Sequence, residues 1–399
     1  MRPHLGGGDP VPADRARAAY PHWTPTDPLA VYLHIPFCRH RCAFCPFYLN
    51  RHYPGSSRDY TDLLLQEIAL TPADRARPLR AIYLGGGTPG DLAAADLARL
   101  LTRLRATWRC DADTEITVET RLRGFTVDQA RACLDAGATR FSLGVQTTDT
   151  RLRRSLGRLA DREELLATLR QVGQLHGARL SADLLYGLPG QTPAMVREDI
   201  RLLATQTPLA AITFYELINF PASPMNRAIT AGRLPPLPDH TQLAAIYHTA
   251  VAALAHAGFH RHTLVHWRRD PRETAAYNLH VKSGADLIPL GSGAGGIING
   301  HQLTLTRDLA EYRALIHRGQ KPIASATRLH PARRQLHSAI SLALEHRRLP
   351  PFPGDKPIST LLRQWQTVNL LTPDHHLTPA GEFWSKTMEH HLLTATAQR

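Results

Sequence analysis

The chain reads as an α/β protein: a partial (β/α)6 barrel followed by a smaller C-terminal α+β/helical domain. Two observations predict this. Six short apolar runs, at 31–35, 81–84, 115–119, 140–145, 180–186 and 211–217, alternate with segments of helical spacing such as D-L-L-L-Q-E-I-A-L and R-E-E-L-L-A-T-L-R-Q-V. The chemically notable residues then fall at the C-terminal ends of those runs. Cys38 follows the first, Gly85, Gly86 and Gly87 the second, and Gln146 the fourth; Glu119 ends the third, and Tyr215 and Glu216 lie in the sixth. That is the face on which parallel barrels carry their sites.

Taken in order, residues 1–27 are rich in Gly, Pro, Asp and Arg without periodicity and are expected to form a tail. Each of the six runs, from V-Y-L-H-I to A-I-T-F-Y-E-L, has the length and composition of a buried parallel strand. Six strand–helix units in series imply a parallel sheet, too short for a closed eight-stranded barrel. The stretch L-P-P-L-P-D-H at 234–240 punctuates the chain, and 241–258 reads as an amphipathic helix ending at Gly258. The expected units are a tail over 1–27, the barrel over 28–258, a barrel-capping α+β extension over 259–325 and a helical, winged-helix-like domain over 326–399. The last assignment rests on L-T-P-D-H-H-L-T-P-A-G-E-F-W, which reads as strand, turn and helix.

Composition sets the compartment and the class of partner. No apolar run approaches the ~18 residues of a membrane helix, and the N-terminus lacks the apolar core of a signal peptide. The expected location is the cytoplasm. A net charge of +13 favours acidic partners without choosing among them. The arginines are spread out, with no basic tract of the kind that marks nucleic-acid binding.

Three of the five cysteines, Cys38, Cys42 and Cys45, fall in the run C-R-H-R-C-A-F-C. C-x3-C-x2-C gathers three soft thiolates, which suit an iron–sulfur cluster or zinc. Structural zinc would need a fourth ligand, for which His34 or His40 is the candidate. Three ligands on a four-iron cluster leave one iron open for chemistry. Cys110 and Cys133 are isolated and read as packing residues. G-G-G-T-P at 85–89 follows a strand, where glycines let a ligand approach the backbone, although alone it could be a turn.

The cysteine spacing resembles that of the radical S-adenosylmethionine (SAM) enzymes, whose fold is the same partial barrel. The resemblance implies a [4Fe–4S] cluster on Cys38, Cys42 and Cys45 whose free iron binds the amino and carboxylate groups of SAM. One electron then cleaves SAM to methionine and a 5′-deoxyadenosyl radical. H-I-P-F-C, G-G-G-T-P, F-S-L-G-V-Q and D-L-L-Y-G-L-P-G-Q-T, in this order, narrow the resemblance to the coproporphyrinogen-oxidase-like branch over about residues 30–320. In that branch Tyr32, Gly86, Gly87, Thr88, Glu119, Gln146, Arg158 and Asp183 fall on SAM-contacting positions, and two SAM molecules are common. Arg158 suits a carboxylate as a planar fork; the alternative is a structural ion pair with Asp183.

Two departures direct the substrate reading. The oxidase carries a further cysteine where this chain has Phe47, and the haem-chaperone motifs are replaced by A-A-Y-N-L-H and G-S-G-A-G-G. The strings E-T-R-L-R-G-F, R-R-S-L-G-R and G-S-G-A-G-G-I-I-N-G look most like the anaerobic haem-degrading radical SAM methyltransferases. The resemblance implies haem opening with methyl transfer, a linear tetrapyrrole product, free iron, and a flavodoxin- or ferredoxin-like electron donor. In that class the radical takes hydrogen from the methyl of the second SAM, so no methyl-carrying cysteine is needed. Gly291, Gly293 and Gly296 also match G-x-G-x-x-G, but a strand rather than a helix follows, which argues against a nicotinamide site. Substrate contacts are expected at His266, Arg268, Arg269 and Gly293, with Arg261 a further propionate candidate; His266 could equally be an ordinary strand histidine. The alternatives are a class C methyltransferase or cyclopropanase on a natural product, a haem chaperone, and an RNA-modifying radical enzyme.

Overall fold

In the computed structural model, residues 8–397 are described except Asp27, Arg51, Pro54, Asp74, Arg77 and 353–355. The described strands are β1 Gly8–Val11, β2 Leu29–Ile35, β3 Ala81–Gly86, β4 Glu115–Thr120, β5 Arg140–Gln146, β6 Leu180–Tyr186, β7 Ala211–Glu216, β8 His260–Arg261, β9 His266–Arg268, β10 Asp286–Leu290, β11 Gly295–Ile298, β12 His301–Leu305 and β13 Ile323–Leu329. They form one open sheet in the order β1-β13-β12-β11-β10-β2-β3-β4-β5-β6-β7-β9-β8.

Strands β2 to β7 are the six apolar runs, parallel and in sequence order. Their crossover helices include Ser56–Ala69, Ala94–Thr107, Val127–Asp135, Arg162–Gly173 and Pro193–Gln206. Thr126, Asp161 and Thr192 start three of these by accepting the backbone N–H of the residue three further on. Leu64, Leu100, Leu104, Leu169 and Leu203 turn inward from the helices onto the sheet and are fully buried. The layers are thus a curved sheet with helices outside it, an unclosed barrel.

The inner surface of the curve is different. Within strands that are otherwise buried, Tyr32, Tyr83, Glu119, Asp183 and Tyr215 keep partial solvent access. The period-2 alternation puts these five on the concave face, so the interior is polar, aromatic and open.

Residues 259–325 extend the sheet at both edges. β9 adds antiparallel to β7 and β8 antiparallel to β9, while β10 adds parallel to β2, with Leu290 opposite Leu33. The helix Ala276–Lys282 closes the opposite, N-terminal end of the barrel. Glu115 accepts the N–H groups of Ala276 and Tyr277 at 3.1 and 3.2 Å, and the buried pair Arg140–Glu273 (2.8 Å) locks the preceding turn.

From Gly8 onward the expected tail is structured. β1 pairs antiparallel with β13, and Ala16, Tyr20 and Trp23 are buried. Those three sit at i, i+4 and i+7, a one-sided apolar stripe within a polar segment. Residues 1–7 lie outside the described part. After β13, helices Pro331–Glu345, Lys356–Thr367, Pro379–Phe383 and Ser385–Ala397 enclose a separate small core around Ile340, Leu362, Trp365 and Leu392. Short bridges join Arg348 to His376 and Leu371 to Leu377 beside these helices.

Candidate active site

The cysteine loop leaves the C-terminal end of β2 and is held from three sides. Asn50 returns its N–H to Pro36 O at 2.6 Å. Ala43 donates to Leu156 O at 3.0 Å, and Ala43 O accepts from Met225 N at 2.9 Å. An acidic anchor completes the frame: Asp91 accepts Arg39 N (2.7 Å) and pairs with Arg121 (2.8 Å), whose other nitrogen reaches His40 O at 2.9 Å. Sequence reading missed Asp91; its signal was its position two residues after G-G-G-T-P. Gly157 abuts the loop, since a Cβ there would lie 3.3 Å from Arg41 O.

All five cysteines are unpaired. Cys42 is buried and Cys38 and Cys45 are partly accessible; burial pushes the Cys45 thiol up, a cost that metal binding would remove by taking the thiolate. Thr88 donates to Cys38 Sγ at 3.3 Å. Among the described residues no three His, Cys, Asp or Glu close on a single metal ion. His34, the fourth ligand that zinc would need, is turned to Tyr32 OH at 2.8 Å and is fully packed. Burial, with the nearby Arg307 charge, lowers its pKa to about 4, so it stays neutral. Three thiolates on one loop beside an open interior fit a multi-iron cube with a free corner. Cys133 stands apart on a crossover helix, where burial drives its thiol to about 12, as expected of a packing residue.

The glycines of β3 bring its end against the start of that loop. A Cβ on Gly87 would lie 2.3 Å from Phe37 O, and one on Gly86, at φ +114°, 2.7 Å from the His34 ring. A Cβ on Gly85 would lie 2.8 Å from Glu119 Oε2, so the bare backbone also makes room for that carboxylate. Glu119 receives the Gly86 N–H and, at 3.4 Å, Tyr83 OH. Burial, then the Asp183 charge, raises it to about 7. Asp183 is also raised by burial and accepts Ser142 Oγ at 3.1 Å.

On the neighbouring strand Gly144 leaves a gap into which two side chains turn. Its Cβ would lie 3.0 Å from both Arg158 Nη2 and Gln146 Nε2. Gln146 adopts φ +70°, a left-handed conformation that costs energy for a side-chain-bearing residue, at a register shift between β5 and β6. Arg158 has no carboxylate partner among the described residues, and its buried Nε makes no hydrogen bond. The Arg158–Asp183 ion pair weighed from sequence is therefore absent. A half-buried guanidinium without an anion beside Gly144 fits a ligand carboxylate.

The structure thus brings together Cys38, Cys42, Cys45, Tyr32, Gly86, Gly87, Thr88, Glu119, Gln146, Arg158 and Asp183 at one end and interior of the barrel. Gly293 also joins this end, beside Tyr48, because β10 ends next to β2. It does not bring His266, Arg268 and Arg269 there. β9 runs antiparallel to β7, so Arg268 lies opposite Ala211, at the N-terminal end. Arg268 donates to Glu273 O at 2.9 Å, and Arg269 binds the carbonyls of Ala204, Thr207 and Leu209. His266 is fully buried, 3.3 Å from Glu273 and 3.4 Å from Thr213 Oγ1. Arg261 pairs with Glu382 and stacks 4.4 Å over Trp267. The three arginines expected at propionates, and His266, thus have protein partners away from the cysteine end of the barrel.

Sequence reading also missed the aromatic floor. Tyr277 stacks on Tyr83 at 4.3 Å and approaches Tyr32 at 6.1 Å. Tyr277 belongs to the helix that plugs the barrel, which no local pattern placed inside it.

Three comparisons bear on this arrangement. The model of the Radical SAM superfamily matches residues 32–203. The chain is 35% identical over 364 residues to anaerobilin synthase of Escherichia coli O157:H7, covering 89% of this chain and 81% of that protein. It is 28% identical over 291 residues to the heme chaperone HemW of Bacillus subtilis, covering 72% and 76%. The solved structure of Escherichia coli coproporphyrinogen III oxidase, HemN, superposes with a TM-score of 0.79 at 23% identity, over 96% of this chain and 92% of that one. The chain belongs to the radical SAM superfamily, in its coproporphyrinogen-oxidase-like branch and among the relatives of anaerobilin synthase.

Proposed function

We propose that the protein is an anaerobic radical SAM methyltransferase that opens the haem macrocycle, with methyl transfer, to a linear tetrapyrrole and free iron. The observation that carries the reading is the 35% identity to anaerobilin synthase, which extends beyond the barrel to nearly the whole chain. The relatives that act as haem chaperones support the same substrate class.

Membership of the superfamily brings a [4Fe–4S] cluster and SAM. Cys38, Cys42 and Cys45 would hold the cluster, which would supply the electron for SAM cleavage. The chain's own groups do the rest. Gly86, Gly87 and Thr88 offer a close backbone edge beside Cys38. Arg158 and Gln146 present donors over Gly144 for a carboxylate, and Glu119 and Asp183 accept hydroxyls or an ammonium. Tyr32 closes the same wall. These groups exceed what one SAM can engage, which supports two molecules in the interior. The tyrosine-lined floor and the plug at the far end keep water from entering behind the reacting atoms.

Electron delivery is assigned to the outer side of the cysteine loop. Arg39, His40, Arg41, Arg123 and Arg154 are exposed there, and they complement an acidic flavodoxin- or ferredoxin-like donor. Five unpaired cysteines suit a reducing compartment, so we place the enzyme in the cytoplasm. The described helices include none long and apolar enough to cross a membrane.

The test is anaerobic incubation of cluster-loaded protein with haem, SAM and a reductant. The reading expects loss of the haem Soret band together with release of chelatable iron. An unchanged Soret band while SAM is consumed would contradict it.

A further inference from the structure

The C-terminal face carries an unpaired cation that the assignments above leave unused. Arg307 is exposed and its guanidinium lies 5.7 Å from the centroid of the Tyr48 ring. No carboxylate pairs with it among the described residues. The two acids nearest in sequence are committed elsewhere: Asp308 caps the helix Leu309–His317 by accepting Ala310 N and Glu311 N, and Glu311 accepts Thr306 Oγ1 at 2.6 Å.

Its surroundings are fixed and flat. Tyr48 follows the cysteine loop, packs against His34 with rings 6.4 Å apart and 19° from parallel, and donates its hydroxyl to Arg307 O. Gly293, at φ +81°, packs its bare backbone against both: a Cβ there would lie 2.9 Å from the Tyr48 ring and 3.5 Å from Arg307 Cγ. The glycine segment itself is pinned from below, because Gly291 N reaches the buried Glu67 at 2.7 Å and Ser292 N reaches Tyr60 OH at 2.7 Å. Next in the chain to Tyr48, Phe47 is 51% exposed, although it is a large apolar ring two residues from Cys45.

We infer that Arg307, Tyr48, Phe47 and Gly293 form the docking site for the carboxylate-bearing edge of a flat aromatic macrocycle. The inference rests on the tetrapyrrole reading and says where the substrate is held. The guanidinium pairs with a propionate as a planar fork, and Phe47 covers part of the ring face. Gly293 lets the backbone pack against Tyr48 and Arg307 and so fixes their relative placement. This site takes the place of Arg268 and Arg269 as the origin of propionate recognition.

The test compares haem with haem dimethyl ester, whose propionates are uncharged, by anaerobic absorbance titration of the cluster-loaded protein. The wild type is expected to bind haem about tenfold or more tighter than the diester, the scale of a charge-assisted contact. Arg307→Gln should bring haem down to the level of the diester while leaving the diester unchanged, and Arg307→Lys should restore part of the difference. Phe47→Ala should weaken both ligands by one common factor. Equal haem affinity in Arg307→Gln and wild type overturns the site, as does an equal loss for both ligands in Arg307→Gln. A wild type that binds neither ligand overturns the tetrapyrrole reading itself, an outcome distinct from insensitivity to Arg307.

Discussion

In the role proposed for it, the Glu119 carboxyl would make SAM binding depend on pH. It sits on the inner face of β4, between the Gly86 N–H and Tyr83, and burial with the Asp183 charge raises it to about 7. A raised carboxyl holds its proton more tightly in the folded chain than in the unfolded one. Its ionisation therefore destabilises the unliganded fold progressively from about pH 4.5 to 7, and fully above that. An ammonium of SAM would pair with the ionised carboxylate, and a hydroxyl would bind it more strongly than the neutral acid. With a pKa of about 7, roughly a tenth of the groups are ionised at pH 6 and nine-tenths at pH 8. Affinity for SAM should then rise about tenfold between these values. Glu119→Gln removes the titration. Isothermal titration of SAM into the cluster-loaded protein under nitrogen, at pH 6, 7 and 8, gives both curves. SAM's own titration is common to the two proteins, so their difference isolates Glu119. Parallel curves for wild type and Glu119→Gln would refute the role assigned to this carboxyl.

Three further outcomes follow from the geometry. Cys38→Ala, Cys42→Ala and Cys45→Ala should each abolish iron–sulfur absorbance and SAM cleavage, whereas Cys133→Ala should retain both; iron and sulfide analysis decides. Gly87→Ala must push its methyl against Phe37 O, so the loop shifts and turnover should fall on the order of a hundredfold, read as 5′-deoxyadenosine formed per minute. Arg140→Met leaves the buried Glu273 without its cation and should cost about 3–5 kcal/mol of stability, measured by denaturant unfolding; a loss below about 1 kcal/mol would mean that the plug is not held by this pair.

The barrel and the residues on its strands were legible because their signals are local. An apolar run of four to seven residues, a glycine triplet after a strand and three cysteines in eight positions all lie within one window. The strand ends then put Glu119, Gln146 and Asp183 on one side of the sheet without further information. What escaped depends on long-range pairing. The arginines at 268 and 269 look like free cations in sequence, yet their partners are helix-terminal carbonyls some sixty residues earlier and the turn at Glu273. Only the antiparallel register of β9 on β7 reveals that they face away from the site. The N-terminal arm was missed because three buried side chains in a polar stretch do not raise its average hydrophobicity. Arg307 and Tyr48 lie 259 positions apart, and only the placement of β10 beside β2 makes them neighbours.

The central claim is that methyl transfer accompanies opening of the haem ring. It is tested most directly by mass analysis of the tetrapyrrole formed anaerobically from haem and SAM labelled with carbon-13 in its methyl group. The account predicts an open-chain, iron-free product that carries the labelled carbon, formed together with 5′-deoxyadenosine and a demethylated sulfonium product. Recovery of intact haem, or of a linear product without label, would contradict it.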